Sequence, residues 1–200
     1  MSIMKPTPDT ACFASDQAFN KLYPLRIQML AQQHWSSIDI SRKAAIFLAG
    51  ERNVSILDIG SGVGKFCLIG AHETPGAYYY GVEQREALVT HANKAKNTLG
   101  LENVSFLHGN FTQLDLREYD HFYFYNAFYE NISDLDKIDD NIAYSLELFN
   151  YYNRYLYKQL EQKAAGTRLC TLCSMESEIP SSYHLVGAEM NQLLKFWIKI

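Results

Sequence analysis

No stretch of the 200-residue chain approaches the roughly 20 consecutive apolar residues that a membrane-spanning helix needs. Residues 1–16 also lack the basic-then-apolar pattern of a secretory signal. Both absences predict a cytoplasmic protein with no membrane partner. No run of Lys or Arg stands anywhere; the formal charge of −4 comes from acidic and basic residues spread along the whole length. A phosphate-tracking stripe needs clustered cations, so the sequence disfavours nucleic acid as a partner. Cysteine is sparse, and Cys12, Cys67, Cys170 and Cys173 read as small buried apolar residues, not as a disulfide framework. Cys170 and Cys173 form a C-x-x-C. In an extended strand, however, positions three apart face opposite sides, and no second Cys/His pair at ligand spacing accompanies them, so no metal site is expected. Internal repeats, low-complexity tracts and flexible linkers are missing too. A chain of this length that is 48% apolar then builds one sizeable core. The expected organisation is a helical extension over 1–50 packed on a single domain over 51–200.

In the extension, Phe19, Leu22, Tyr23, Ile27, Leu30 and Ala31 recur at helical spacing and predict helices over 16–23 and 24–33, with Pro24 tolerated at a helix start. Ser36 and Ser37 offer a cap for a further helix through Ala44, Ala45 and Leu48, ending near Gly50. From Val54 onward, short apolar runs alternate with longer helix-like stretches, the pattern of parallel strands joined by crossover helices. Strands are predicted at 54–59, 78–82, 104–108, 121–126 and 168–174. One helix is predicted over 85–100, where Leu88, Ala92, Ala95 and Leu99 share a face. Another is predicted over about 135–165, carrying Ile138, Ile142, Leu146, Phe149, Leu156 and Leu160. Its tyrosines read as packing and surface aromatics, and Asp134, Asp136, Asp139 and Asp140 as its solvated start. After Pro180, residues 183–186 and 193–200 read as an antiparallel hairpin turning at 187–191.

The chemistry concentrates at Ile56-Leu57-Asp58-Ile59-Gly60-Ser61-Gly62-Val63-Gly64. The three glycines sit where a buried strand turns into a helix. They permit positive φ and let a ligand approach bare backbone, while the helix N-terminus beyond offers free N–H groups. The second strand ends in Gly81-Val82-Glu83, which places a carboxylate at the carboxyl end of the neighbouring strand, about twenty positions after Gly60. Acidic side chains there accept hydrogen bonds from ribose hydroxyls in open α/β sheets. The spacing is G-x-G-x-G with Lys65 where a dinucleotide fingerprint needs its third glycine, and the G-K-[ST] ending of a phosphate loop is missing.

Residues Leu57 to Gly64, followed by Gly81-Val82-Glu83, resemble the Rossmann-like class I S-adenosylmethionine-dependent methyltransferases. The resemblance runs from Val54 to the C-terminus. It implies an α/β fold with a seven-stranded, mostly parallel sheet, helices on both faces and a reversed C-terminal strand. Gly60 to Lys65 is also similar, locally, to the cofactor loop of the non-SET histone-lysine methyltransferases. The family implies S-adenosylmethionine as cofactor. Asp58, Gly60 and Gly62 line its methionine part with Asp58 near the ammonium, Ser61 and Gly64 complete the loop, and Glu83 holds the ribose hydroxyls. Gln84 flanks the adenine, and Asn110 with Phe111 contacts it after the third strand.

The fourth strand runs out through Tyr125-Asn126-Ala127-Phe128-Tyr129-Glu130, which puts Asn126 at the carboxyl edge of the sheet. Methyl transfer from a sulfonium is an in-line displacement, so a site mainly aligns the nucleophile and excludes water. Asn126-Ala127-Phe128-Tyr129 resembles a variant of the [DN]-P-P-[YF] motif of amino-directed methyltransferases with both prolines replaced. That likeness implies a nitrogen acceptor: Asn126 and the Ala127 carbonyl accept its hydrogens, and Phe128 or Tyr129 packs on it. The expected acceptor is a protein or small molecule. Asn20, Tyr23, His34 and Trp35 are the candidate contacts from the helical extension. The competing expectation is a non-catalytic module that binds S-adenosylmethionine or S-adenosylhomocysteine.

Overall fold

Strand β1 (Ser55–Ile59) alternates sides along its length and so separates two apolar cores. Ile56 joins the core on one face of the sheet, and Leu57 and Ile59 join the core on the other. In the computed structural model, which describes residues 10–133 and 137–200, six further strands extend this pattern. They are β2 (Tyr78–Glu83), β3 (Val104–His108), β4 (His121–Tyr125), β5 (Arg168–Leu172), β6 (Tyr183–Glu189) and β7 (Leu194–Lys199). The sheet order is β3-β2-β1-β4-β5-β7-β6. The first five strands are parallel, and β7 runs antiparallel between β5 and β6. This is the Rossmann-like arrangement that the family resemblance implies. β1 hydrogen-bonds to β2 on one side and β4 on the other, so the order reverses beside it, and the crevice of an open α/β sheet falls at that point.

Among the described residues, seven α-helices flank the sheet: α1 (Asp16–Asn20), α2 (Leu25–Gln28), α3 (Ala31–His34), α4 (Ile38–Leu48), α5 (Lys65–Glu73), α6 (Glu86–Leu99) and α7 (Leu146–Glu161). The first core gathers Phe19, Ile27, Ala44, Leu48, Leu68, Leu88 and Leu99 from α1, α2, α4, α5 and α6. The second sets Tyr152, Leu156 and Leu160 of α7 against Leu57, Phe122 and Phe124. Ser37 starts α4 by accepting the Ile40 N–H (3.3 Å), and Ser145 starts α7 by accepting the Leu148 N–H (3.1 Å). Among the described residues, no helix is long and apolar enough to cross a membrane.

Four local expectations need correction. The helix predicted over 24–33 breaks at Met29 and Leu30. There the Leu30 N–H bonds back only three residues, to Ile27 O (3.1 Å), and the chain tightens into a turn between α2 and α3. The long helix starts only at Leu146. Ile138 and Ile142 sit in a loop, their spacing serving a cavity wall instead of a helix face. Asp134 and Asp136 lie outside the described residues, and Asp139 is an ion-pair partner instead of a solvated helix start. The hairpin turn falls at 190–193, after a bulge between Leu185 and Gly187 that lets β6 reach Glu189. Cys173 is exposed beyond the end of β5, whereas Cys67 and Cys170 are buried.

His121 opens β4 at the edge of the sheet away from the crevice. Its Nδ1 accepts the Arg168 N–H (3.0 Å), while its buried Nε2 has no partner. Burial, and then the Arg168 charge, holds its pKa below the ordinary value. The unfolded chain therefore takes up a proton at a higher pH than the folded one, and stability is lost as pH falls below about 6.5. Asp58, whose buried carboxyl has its pKa pushed up to about 8, acts in the opposite sense over this range, so the His121 contribution is read as a difference: the Tm of His121→Asn relative to the wild type is expected to rise between pH 7 and 5.5. A variant with the same pH profile as the wild type would exclude His121 as the titrating group.

Candidate active site

The carboxyl ends of β1, β2 and β4 open into one cavity of about 260 Å³. Its floor is the turn after β1. Gly60 (φ +78°) and Gly62 (φ +54°) hold backbone that a side chain strains. A Cβ on Gly60 would lie 2.4 Å from the Ala127 Cβ, whereas one on Gly62 would meet nothing within 4 Å. The first glycine thus seats the β4 edge against the turn, and the second leaves backbone open to a ligand. The N–H groups of Gly60 and Ser61 both donate to Val82 O (3.0 Å each), tying the turn to β2. The Ser61 Oγ is buried with no partner. Gly64 precedes α5 and stands against the Phe106 ring, a packing position outside the cavity wall.

Two buried carboxyl groups face this space under opposite conditions. Glu83, at 6% exposure, accepts the Gly62 N–H through Oε2 (3.1 Å) and the Arg85 N–H through Oε1 (2.9 Å). Burial raises its pKa above the ordinary value, and the Arg85 N–H bond and charge offset only part of that rise. A carboxylate has about four acceptor sites, so Glu83 keeps lone pairs for a ligand hydroxyl. Asp58, at 4% exposure, has among the described residues only the Cys67 thiol, whose Sγ lies 3.6 Å from Oδ2. Burial pushes its pKa up to about 8; the thiol opposes the rise and the Glu83 charge adds to it. A buried acid facing an open cavity with no cation beside it suits an ammonium group. With the unpartnered Ser61 hydroxyl and the bare Gly62 backbone, these donors and acceptors fit the amino-acid end of S-adenosylmethionine.

The other candidates divide. Gln84, Phe111, Asn126, Phe128 and Tyr129 line the same cavity as Asp58, Gly60, Ser61, Gly62 and Glu83. Phe128 is buried and stacked on Phe111, with ring centroids 5.1 Å apart, so these two rings form one apolar wall. Asn126 holds φ +45°, which a non-glycine residue rarely adopts. Its side-chain amide has no hydrogen-bond partner among the described residues. Asn110 is not in the cavity wall. Its Oδ1 accepts the Thr112 N–H (3.0 Å), and its Nδ2 donates to Tyr152 OH (2.8 Å) and Gln84 Oε1 (3.2 Å), so the amide is committed to holding a turn.

From the N-terminal helices, His34 and Trp35 reach the cavity, whereas Asn20 and Tyr23 fasten the cofactor-loop side instead. Tyr23 OH donates to Val63 O (3.0 Å). Lys65 Nζ donates to Asp16 and to Asn20 Oδ1 (3.3 Å), with the Phe19 and Trp35 rings 5.6 Å away. Tyr125 OH donates to Gln33 O (3.2 Å), and Tyr123 OH pairs with Ser36 Oγ (2.6 Å). The aromatic residues of β4 therefore hold residues 33–36 over the site. Among the described residues, no group of His, Cys, Asp and Glu is placed to hold a metal ion.

Sequence reasoning missed Arg85. Its buried guanidinium pairs with Glu130 and with Asp139 Oδ1 (3.1 Å), reaches Glu83 Oε1 at 3.5 Å, and donates to Tyr144 OH (2.6 Å). Glu130 also accepts the Ile138 N–H (3.2 Å) and Tyr144 OH (3.1 Å). Burial works against the Arg85 charge, but Glu130 and then Glu83 outweigh it and raise its pKa. The cluster pins the loop between β4 and α7 over the crevice, which puts Ile138, Ile142 and Tyr144 in the wall. The available signal was a cation directly after the Glu83-Gln84 strand end, facing an acidic stretch after β4. Arg85→Met is expected to cost about 3–5 kcal/mol of stability, because it strands buried carboxylates. Urea denaturation that showed a loss under about 1 kcal/mol would mean that water already solvates the cluster.

Residues 50–182 match the family described as "Methyltransferase domain". A tRNA (guanine-N(7)-)-methyltransferase of Synechococcus sp. is 52% identical over 54 residues, covering 27% of this chain and 23% of the relative. One of Synechocystis sp. is 34% identical over 96 residues, covering 47% and 40%. The chain thus aligns with less than half the length of these curated relatives. An RNA methyltransferase from Salinibacter ruber, solved in complex with S-adenosyl-L-homocysteine, shares the fold with a TM-score of 0.53 and 20% identity, covering 79% of this chain and 89% of that one. The tRNA-directed relatives overturn the expectation that nucleic acid is disfavoured and the acceptor is a protein or small molecule. That expectation rested on runs of cations in sequence, whereas a folded surface gathers cations that are separated in sequence. The chain is a member of the methyltransferase domain family, an enzyme of the Rossmann-like class I group that uses S-adenosylmethionine.

Proposed function

We propose that the enzyme methylates a ring nitrogen of a purine base in RNA. The observation that carries the reading is the acceptor of its curated relatives, guanine N7 of tRNA. The geometry supports it at two points. Glu130, a carboxylate in the cavity wall, is committed to Arg85 and is not free to act as a base. A ring nitrogen presents a lone pair and needs no deprotonation, so alignment suffices. Asn126 then offers an uncommitted amide, able to donate or accept, to the base edge.

When bound, the cofactor supplies an electrophilic methyl on a sulfonium. Asp58 faces its ammonium, Glu83 accepts the ribose hydroxyls, and the Phe111–Phe128 wall, with Gln84, flanks the adenine. Asn126 orients the acceptor, with Tyr129 beside it. His34 and Trp35, held by Tyr123 and Tyr125, screen the acceptor side from water. The helices before residue 50 thus act as part of the site, while the cofactor half lies in the domain that follows.

Labelled S-adenosylmethionine incubated with unfractionated tRNA should transfer label to RNA, and nuclease digestion should recover it in a ring-methylated purine. Label confined to protein would overturn the reading. Asn126→Ala should cut turnover by about 10²-fold, the order expected when positioning is lost, with S-adenosylhomocysteine affinity almost unchanged. Unchanged turnover would remove Asn126 from the chemistry.

Asp58 adds a pH signature. With a pKa of about 8 in the free enzyme it is mostly protonated at pH 7, and an ammonium placed against it favours the ionised form. Binding S-adenosylhomocysteine at pH 7 should release close to one proton, read as a buffer-dependent calorimetric enthalpy. The release should vanish at pH 9.5 and in Asp58→Asn. A buffer-independent enthalpy at pH 7 would contradict the assignment.

A further inference from the structure

The outward face of α7 carries Asn150, Arg154 and Lys158 in one exposed row, at i, i+4 and i+8, while Tyr152, Leu156 and Leu160 bury the other side. Neither Arg154 nor Lys158 makes an ion pair with any described residue. They line a groove of about 440 Å³ between α7 and the segment after β5, together with Phe149, Tyr157 and Met175. Met175 is 53% exposed there. Two carboxylates also border the groove. Glu178 is held by the Met175 N–H (2.9 Å), and Glu161 stands at the far end of the helix.

The groove adjoins the active site through one ring contact. Phe149 meets Tyr129 edge to face, with centroids 6.0 Å apart at 87°, and Tyr129 lines the catalytic cavity beside Asn126. Free cations beside apolar and aromatic surface form the combination that binds single-stranded nucleic acid: phosphates pair with the cations, and unstacked bases lie on the rings. We propose that this groove holds the nucleotides flanking the target base, with Arg154 and Lys158 on backbone phosphates and Tyr157 under a base. The proposal rests on the RNA-acceptor reading and adds the path of the strand away from the reacting nitrogen.

The test compares wild type, R154E/K158E and Y157A as full chains, using unfractionated tRNA and a labelled single-stranded RNA oligonucleotide. R154E/K158E should weaken tRNA binding at least tenfold at about 100 mM salt. It should also lower the slope of log affinity against log salt by about 1.4–1.8, the contribution of two phosphate contacts. The KM for tRNA should rise, while kcat at saturation, Tm and S-adenosylhomocysteine affinity stay as in the wild type. Y157A should weaken binding severalfold without changing the salt slope. A folded R154E/K158E protein with wild-type affinity and slope overturns the groove, even where the wild type methylates tRNA. A wild type that neither binds nor methylates any RNA overturns the acceptor reading, and the groove falls with it.

Discussion

Three carboxylates cannot be drawn together at the end of a sheet without a cation among them, and Arg85 is that cation. Its position is fixed at both ends. Its own N–H donates to Glu83 at the end of β2, and its guanidinium collects Glu130 and Asp139 from the loop after β4. Between β4 and α7 the described residues carry little regular structure beyond one short turn at Tyr129–Asn131, and such a stretch is uncommon in a compact domain unless something specific holds it. Here the electrostatic cluster does so. Ile138, Ile142 and Tyr144 become cavity wall because the charges behind them are neutralised.

The same cation explains why Asp58 and Glu83, both buried beside one cavity, behave differently. Glu83 has two backbone donors and the nearby guanidinium, which offset part of the cost of burying its charge. Asp58 has a thiol, and its pKa rises to about 8. In the proposed site the pair is graded: Glu83 accepts hydroxyl hydrogens, and Asp58 gains its charge against a positive ligand. Lys65, where a dinucleotide site needs glycine, lines the same cavity, with its ammonium held by Asp16 and Asn20. It fastens the N-terminal helices to the loop that would receive the cofactor.

The sheet was legible because its information is local. The short apolar runs of β1 and β4, buried nearly throughout, a glycine turn, and a carboxylate ending the next strand are each written within a few consecutive residues. The cavity members Asp58, Gly60, Gly62, Glu83 and Asn126 all stand at strand ends, where topology alone brings them together. The loop after β4 was not legible, because Ile138, Ile142 and Leu146 repeat at helical spacing although only the last is helical. What decided its shape was an ion pair to a residue more than forty positions earlier, and no periodicity records such a pairing. Asn110 shows the converse. The sequence placed it correctly after β3, but its amide was already engaged by Thr112 and Tyr152.

A net charge of −4 also looks different once the cations are located. Arg42 is committed to Glu73, Lys65 to Asp16, Arg85 to its carboxylates, Lys163 to the carbonyls of Leu116 and Tyr119, and Arg168 to Phe47 O. These charges hold the fold and create little outward field. A protein of this balance gains no long-range attraction toward a polyanion. On the proposed RNA-acceptor reading, affinity comes from short-range contacts made after encounter: uncommitted cations such as Arg154 and Lys158, and aromatic surface on which a base can lie. Net charge describes steering, whereas the placement of uncommitted side chains describes binding. Absence of a basic run therefore excluded the first and said nothing about the second.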